Sequence, residues 1–387
     1  MLEKVLYGSK RYYTWIVFLM IIIIFGFTAY LEQFNTGLGI TGMSRDVTWG
    51  LYISQFTFMV GVAASAVMVA IPYYLHDHKT FGPIVILGEF LAVAAVIVCM
   101  LFILCDMGQP TRFLNIVLHP TPNSVMFWDM CVLLGYLLLN LIIGWTILGA
   151  DKKGISAPHW TKVLTYIAIP WAVSIHTVTA FLYAGLPGRY YWLTAIMAGR
   201  FLASAFAAGP ALLIILCLIL RKYTSFKTSK EAIQSLAVIV TYAMIANVFF
   251  FLLEVFTAFY SNIPGHMAAL QYLFVGLNGH NNLVPFMWTA AILAFLGIGL
   301  LLVPSMRRNE KVLTIALAAV FIAAWLDKGI GLVLAGFVPN SFERVTEYIP
   351  SSTELAIVLG VYAIGFLILT ILYKMVVAVR EQSMVEH

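Results

Sequence analysis

Residues 81–105 read FGPIVILGEFLAVAAVIVCMLFILC, with Glu89 the one acidic or basic residue among them. A run of this length and polarity is long enough to cross the hydrocarbon of a bilayer as a helix. A charge inside such a run is expensive and marks a candidate functional position. The same reading extends to 15–31, 51–75, 125–149, 160–183, 194–220, 233–260, 284–303, 313–337 and 355–377. Hydrophobic residues make up 62% of the chain and charged residues 10%, where soluble domains carry about 25% charge. Mean hydropathy is +0.96. These figures exclude a soluble protein. They predict an all-α, polytopic membrane protein of ten helices, a single integral membrane domain over 1–387. The first span follows Lys4, Lys10 and Arg11 without a small-residue cleavage pattern, so it is expected to be retained.

Ten spans put both termini on one side, and the basic residues divide accordingly. The terminal side collects sixteen: Lys4, Lys10, Arg11, Lys79, Lys152, Lys153, Lys162, Arg221, Lys222, Lys227, Lys230, Arg307, Arg308, Lys311, Lys374 and Arg380. The opposite side, span ends included, has five: Arg45, Arg112, Arg189, Arg200 and Arg344. Lys328 lies within a span. The positive-inside rule then places both termini in the cytoplasm, in a cell membrane. The net charge of +5 is a topological signal, and no nucleic-acid partner is expected. The long connections 32–50, 106–124, 261–283 and 338–354 fall on the outer side, rich in Gly, Pro, Asn and aromatic residues, suited to cap a site or dock a partner.

Cys99, Cys105, Cys131 and Cys217 are scattered and form no C-x-x-C pair. An iron–sulfur cluster needs about four thiolates together, so none is expected on this chain. Of eight histidines, only His176 sits well inside a span. A bis-histidine haem is therefore not expected, nor is any metal site. Electrons in any redox reaction must then be exchanged with a partner or a diffusible carrier.

The remaining polar residues of the spans cluster towards the outer half. Pro170 should kink the fifth span and open room beside His176, which can donate, accept and take a proton or simply bond a neighbouring helix. Asp129 either carries a proton or complements the start of its helix. Asp106 and Arg112 either pair across the loop or floor a pocket. Glu254, Asp327 and Lys328 form a structural ion set or a functional one, with a Lys328–Glu254 pair possible. Adjacent Asp327 and Lys328 diverge by about 100° on an ideal helix. Glu89 stands apart in the inner half, as a step in a proton path or as a bond across helices. The outer set predicts a polar pocket open to the outer face, among aromatics such as Trp49, Tyr52, Trp128 and Tyr183. A quinone head group needs such an apolar slot with a donor and a proton acceptor.

Asp106-Met107-Gly108-Gln109-Pro110-Thr111-Arg112-Phe113, with His119-Pro120, Ser124 and Met126-Phe127-Trp128-Asp129, resembles the D-x-G-x-P-x-R-F … H-P … S-x-M-x-W-D signature of the NrfD/polysulfide reductase membrane subunits. Ser174-Ile175-His176-Thr177-Val178 resembles that family's fifth-helix motif, and Trp49-Gly50-Leu51-Tyr52-Ile53 its second-helix entry. Trp325-Leu326-Asp327-Lys328-Gly329 and residues 359–365 are most similar to the ten-helix branch of DsrP, Hmc and HybB types. The resemblance implies two four-helix bundles, 51–183 and 194–337, with flanking helices at 15–31 and 355–377. It implies exchange of menaquinone or another quinone at the outer side. Electrons would pass to an external iron–sulfur subunit of the ferredoxin-like type, within a complex with cytochrome or catalytic subunits.

Carried over, the quinone pocket would use Trp49, Tyr52, Gln55, Arg112, Trp128, Asp129 and His176. Glu89, Asp129, His176, Glu254, Asp327 and Lys328 would serve proton transfer, and Asp106 and His119 the docking loop. One departure is plain: where the family often carries Trp-Asp shortly after the fifth-helix histidine, this chain has Ala180-Phe181-Leu182. The other reading of the charges is a secondary transporter built on Asp327, Lys328 and Glu254, since transporters place such groups at broken helices. A purely structural anchor for partner subunits leaves the buried charges without a reason.

Overall fold

The structure, a computed structural model, describes residues 6–385, with side chains to 381. Lys4 and His387 lie outside the described residues. Ten of the described helices are long and apolar enough to cross a membrane: Lys10–Thr36, Leu51–Leu75, Lys79–Asp106, Val125–Lys152, His159–Ala184, Met197–Tyr223, Lys230–Tyr260, Val284–Leu302, Glu310–Ala335 and Ser352–Glu381. Most run several residues beyond the apolar cores of the sequence at one or both ends, while the sixth starts later and the eighth and ninth end slightly earlier. Ser9, Ser229 and Asn309 supply side-chain N-caps for the first, seventh and ninth spans, satisfying donors the helix leaves unpaired. The one extended pairing among the described residues is an isolated bridge between Leu277 and His280. In hydrocarbon, helices alone let each segment satisfy its own backbone.

Spans two to five pack in order, and the fifth returns to the second; spans six to nine close a second ring the same way. The first span packs on the tenth, which lies against the third and fourth. These are the two four-helix bundles and two flanking helices the sequence led us to expect. The bundles meet where the second and fifth spans pack on the sixth, and where the second meets the turn Trp325–Gly331. That turn is π-helical, as is Ile71–Leu75 at the opposite end of the second span. π-turns inside helices are rare and concentrate at functional sites.

The end away from the termini is called here the loop end, the other the basic end. At the loop end, Glu354 is fully buried and accepts from the Gly42 amide (2.6 Å), the Ser351 amide (2.8 Å) and the Tyr348 hydroxyl (2.6 Å). The Tyr348 oxygen in turn accepts from the Leu51 amide at 2.8 Å. One carboxylate thereby pins the loop before the second span to the loop before the tenth. Gly42 is obligatory, since a Cβ there would lie 1.9 Å from the Ile349 carbonyl oxygen.

The first and tenth spans touch backbone to backbone: a Cβ on Gly26 would lie 2.6 Å from the Gly360 Cα. Gly360→Leu is expected to force them apart, at a cost of about 1–3 kcal/mol. The check is the thermal unfolding midpoint of the detergent-solubilised protein with limited proteolysis of the first span. An unchanged midpoint and cleavage pattern would refute the contact.

Candidate functional site

His176 is fully buried in the first bundle, and neither ring nitrogen has a hydrogen-bond partner. One turn on, on the same face, the Thr179 hydroxyl donates to Asp129 Oδ1 of the fourth span at 2.6 Å. Asp129 is buried too. The Tyr183 hydroxyl, a turn further, hydrogen-bonds Thr57 of the second span. Tyr183, Trp49, Trp192 and Phe337 then interlock, with Trp49 stacked on Trp192 at 5.5 Å and ring centroids 5.0–6.2 Å apart elsewhere in the set. The sequence predicts a pocket open to this end. The structure instead closes it with that aromatic plug, because two large indoles and their edge-on neighbours fill the space beneath the loops.

Tyr52 and Gln55 leave the second span on another side. The Tyr52 hydroxyl donates to Gln33 Oε1 of the first span at 2.6 Å, and Gln33 Nε2 donates to the Cys105 carbonyl at 2.8 Å. Gln55 Oε1 accepts from Trp325 Nε1 (2.8 Å) and the Tyr362 hydroxyl (2.6 Å), while its buried Nε2 has no partner. Arg112 and His119 are exposed on the loop 107–124. Trp128 is also exposed, its indole donating to the Pro122 carbonyl at 2.8 Å. The Asp106–Arg112 pair considered from the sequence does not form among the described ion pairs. Arg112 points to solvent, while Asp106 keeps one buried oxygen without a partner. The seven residues named for a quinone thus fall into a His176–Asp129–Trp49 group, a Tyr52–Gln55 group, and two exposed residues.

Glu89 is buried, with Oε2 unpartnered. It lies within electrostatic reach of the Tyr74 and Tyr136 hydroxyls. Asn140 Nδ2 donates to the Tyr136 carbonyl at 2.6 Å, and its Oδ1 is also open, as is Thr161 Oγ1. The basic half of the first bundle therefore holds several buried polar atoms with unused bonds, spread over the third, fourth and fifth spans.

The second bundle carries a buried ion cluster that the sequence divides differently. The sequence groups Arg200 with the outer span ends; it is 3% exposed, because it stands inside the bundle in the first turn of the sixth span. Its guanidinium pairs with Glu254 and, at 3.0 and 3.2 Å, with both oxygens of Asp327. The Lys328–Glu254 pair considered from the sequence does not form, since Arg200 holds that carboxylate. Lys328 turns the other way. Its ammonium sits 4.2 Å from the Phe201 ring centroid and 3.5 Å from the Phe201 carbonyl, with no carboxylate among the described ion pairs. Arg200 carries no motif signal. Its place near a span end, in Gly199-Arg200-Phe201, groups it with residues that reach to the interface.

Outside the spans, burial holds the Tyr348 phenol well above its ordinary range, with Glu354 beside it reinforcing the shift. Partial burial lowers the Arg189 guanidinium, opposed by Asp46. Arg189 lies 4.4 Å over the Phe337 ring, at the rim of the aromatic plug. No three His, Cys, Asp or Glu side chains among the described residues gather as a metal site would require.

Residues 39–339 match the family described as polysulphide reductase, NrfD. The chain belongs to that family. It is 27% identical, over 92% of its own length and 88% of the relative's, to a putative dimethyl sulfoxide reductase membrane subunit of Halobacterium salinarum. It is 22% identical, over 99% and 98%, to an Hdr-like menaquinol oxidoreductase integral membrane subunit of Archaeoglobus fulgidus. It is 20% identical, over 94% and 91%, to a menaquinone reductase integral membrane subunit of Nitratidesulfovibrio vulgaris.

Removing one member of a buried charge set leaves the others uncompensated, at about 3–5 kcal/mol. Arg200→Met is therefore expected to lower the thermal midpoint of the solubilised protein far more than Glu254→Gln, which keeps an acceptor for the guanidinium. Equal losses for the two variants would show that Arg200 does not carry the cluster.

Proposed function

We propose that this chain is the quinone-interacting integral membrane subunit of a respiratory electron-transfer complex, with its exchange site in the first bundle around His176. The observation that carries the reading is a histidine wholly buried in a membrane bundle with both ring nitrogens open. A buried polar atom without a partner costs free energy, and a ligand that completes its bonds recovers that cost. The residues fit a quinone: His176 Nδ1 and Nε2 are unpartnered, and the flat apolar ring of Phe206 stands edge-on to the imidazole at 6.4 Å. Membership of the NrfD family supports this, as do relatives named for menaquinol and menaquinone.

A bound quinol supplies two electrons and two protons. His176 accepts and holds a proton at an open ring nitrogen. Thr179, one turn from His176, donates to Asp129, and that carboxylate takes the second proton. This places on the fourth span the carboxylate that the family often carries on the fifth. Trp49 and Tyr183 exclude water from the loop end. An open lateral depression of about 330 Å³, lined by Phe181, Ala184, Leu193 and Met197, lies between the fifth and sixth spans.

The basic end faces the cytoplasm and the loop end the outside of the cell membrane, in keeping with the sixteen-to-five division of basic residues. A ferredoxin-like iron–sulfur subunit takes the electrons at the loop end. There Arg112, Phe113, Leu114, Leu118 and His119 stand exposed, and further catalytic or cytochrome subunits join the assembly. Glu89, with its open oxygen in the basic half, serves proton uptake from the cytoplasm. The transporter reading is less favoured, because Arg200 already pairs with both carboxylates, through Glu254 Oε2 and both oxygens of Asp327.

Titration with a fluorescent naphthoquinol analogue tests the site. Saturable quenching is expected in the wild type. It should weaken at least about tenfold, or 1.4 kcal/mol, in His176→Ala and in Asp129→Asn. Binding untouched by either substitution would remove the site from the first bundle. In the whole complex in liposomes, Glu89→Gln should abolish proton uptake from the basic side while electron transfer continues; unchanged uptake would eliminate that route.

A further inference from the structure

The turn Trp325–Gly331 reaches three places at once. Trp325 Nε1 donates to Gln55 in the first bundle. Asp327 pairs with Arg200 in the second. Lys328 lies at the junction, packed on Phe201 of the sixth span and close to Gly61 of the second, where a Cβ would lie 3.3 Å from its Nζ. The wider π-turn shifts the register of the ninth span at this point, and the adjacent Asp327 and Lys328 point to different neighbours. Cys99 of the third span, His176 of the fifth, Arg200 of the sixth and Asp327 beside it lie within electrostatic reach of Lys328.

The charges make the position meaningful. With both carboxylates ionised, Arg200, Glu254 and Asp327 together carry one net negative charge. Lys328 is the cation that balances it, yet it is held off the cluster by a ring face and a single carbonyl. A buried ammonium without a contacting carboxylate is costly. Its field also acts over several ångströms in a low-dielectric interior with little screening. Lysine is a compact charge on a flexible stem, so its position answers to the charge on either side.

We propose that Lys328 couples the Arg200–Glu254–Asp327 cluster of the second bundle to the His176 site of the first, so that the charge of the cluster sets the affinity of that site for quinol. The inference rests on the quinone reading above. Lys328 acts through His176 and is a positioning residue. Because coupling between sites is reciprocal, quinol at His176 must equally alter the cluster.

The experiment is a double-mutant cycle on the full chain in lipid nanodiscs, read by Kd for the fluorescent naphthoquinol analogue. Glu254→Gln changes the cluster's charge without touching Lys328. Alone it is expected to shift Kd by roughly three- to tenfold, in the range of measured couplings. In a Lys328→Met background the same substitution should shift Kd less than about 1.5-fold; a Lys328→Arg background should restore the shift. A merely structural lysine would give additive effects. Equal shifts with and without Lys328, while His176→Ala still abolishes binding, would overturn the coupling and leave the site standing. No binding to the wild type, or binding indifferent to His176→Ala, overturns the site reading and this proposal with it. If Lys328→Met does not fold, Lys328→Gln serves instead, since it removes the charge but keeps a donor for the Phe201 carbonyl. A Glu254→Gln shift undiminished there would equally overturn the coupling.

Discussion

The Arg200 guanidinium, shared between Glu254 and Asp327, is the contact on which the junction of the two bundles depends. It ties the sixth, seventh and ninth spans at one level and so bridges two sides of the second ring. Holding Asp327 fixes the π-turn, and the π-turn carries Trp325 to Gln55 and Lys328 to the interface. In a bilayer no hydrophobic gain separates helix from lipid, so association falls to packing and polar contacts. A bidentate guanidinium between two carboxylates is the strongest such contact this chain has in its interior.

The two bundles treat polarity differently. The second pairs Arg200 with two carboxylates and keeps Lys328 apart from them. Open buried polar atoms occur in both: His176, Glu89 Oε2, Asn140 Oδ1 and Gln55 Nε2 in the first, Glu254 Oε1 and Asn247 Oδ1 in the second. Unsatisfied groups at this density are a cost that packing alone does not justify. What differs is charge: the paired ions stand in the second bundle, while the first holds a histidine with both ring nitrogens open.

The spans were legible because hydropathy is a property of contiguous residues, and their number because the basic residues alternate with it. The buried candidates His176, Asp129 and Glu89 were legible for the same reason: a polar residue stands out against twenty apolar ones. Partners were not. Which helix lies beside which is set across the bundle, so nothing near Glu254 in the chain announces Arg200, and nothing near Tyr52 announces Gln33. Arg200 was further hidden by its place near a span end, where a basic residue ordinarily reaches to the interface. The aromatic plug was hidden too, since Trp49, Tyr183 and Trp192 look like members of an interfacial belt until their stacking is seen.

The departure after the fifth-helix histidine finds its physical sense here. Ala180 and Tyr183 pack fully buried on the face that continues from His176 and Thr179, and Phe181 turns outward. A carboxylate on that stretch would have to displace either the packing against the second span or the exposed ring. Thr179 instead reaches across to Asp129, so the acid arrives from the neighbouring helix with its orientation fixed by a hydroxyl at 2.6 Å. Two groups on different spans can move relative to each other as two groups on one helix cannot. A histidine and a carboxylate joined through a threonine across a helix interface therefore form a pair whose spacing follows the packing of the fourth and fifth spans. Any ligand that settles between the open nitrogens of His176 and the surrounding rings must act on that spacing.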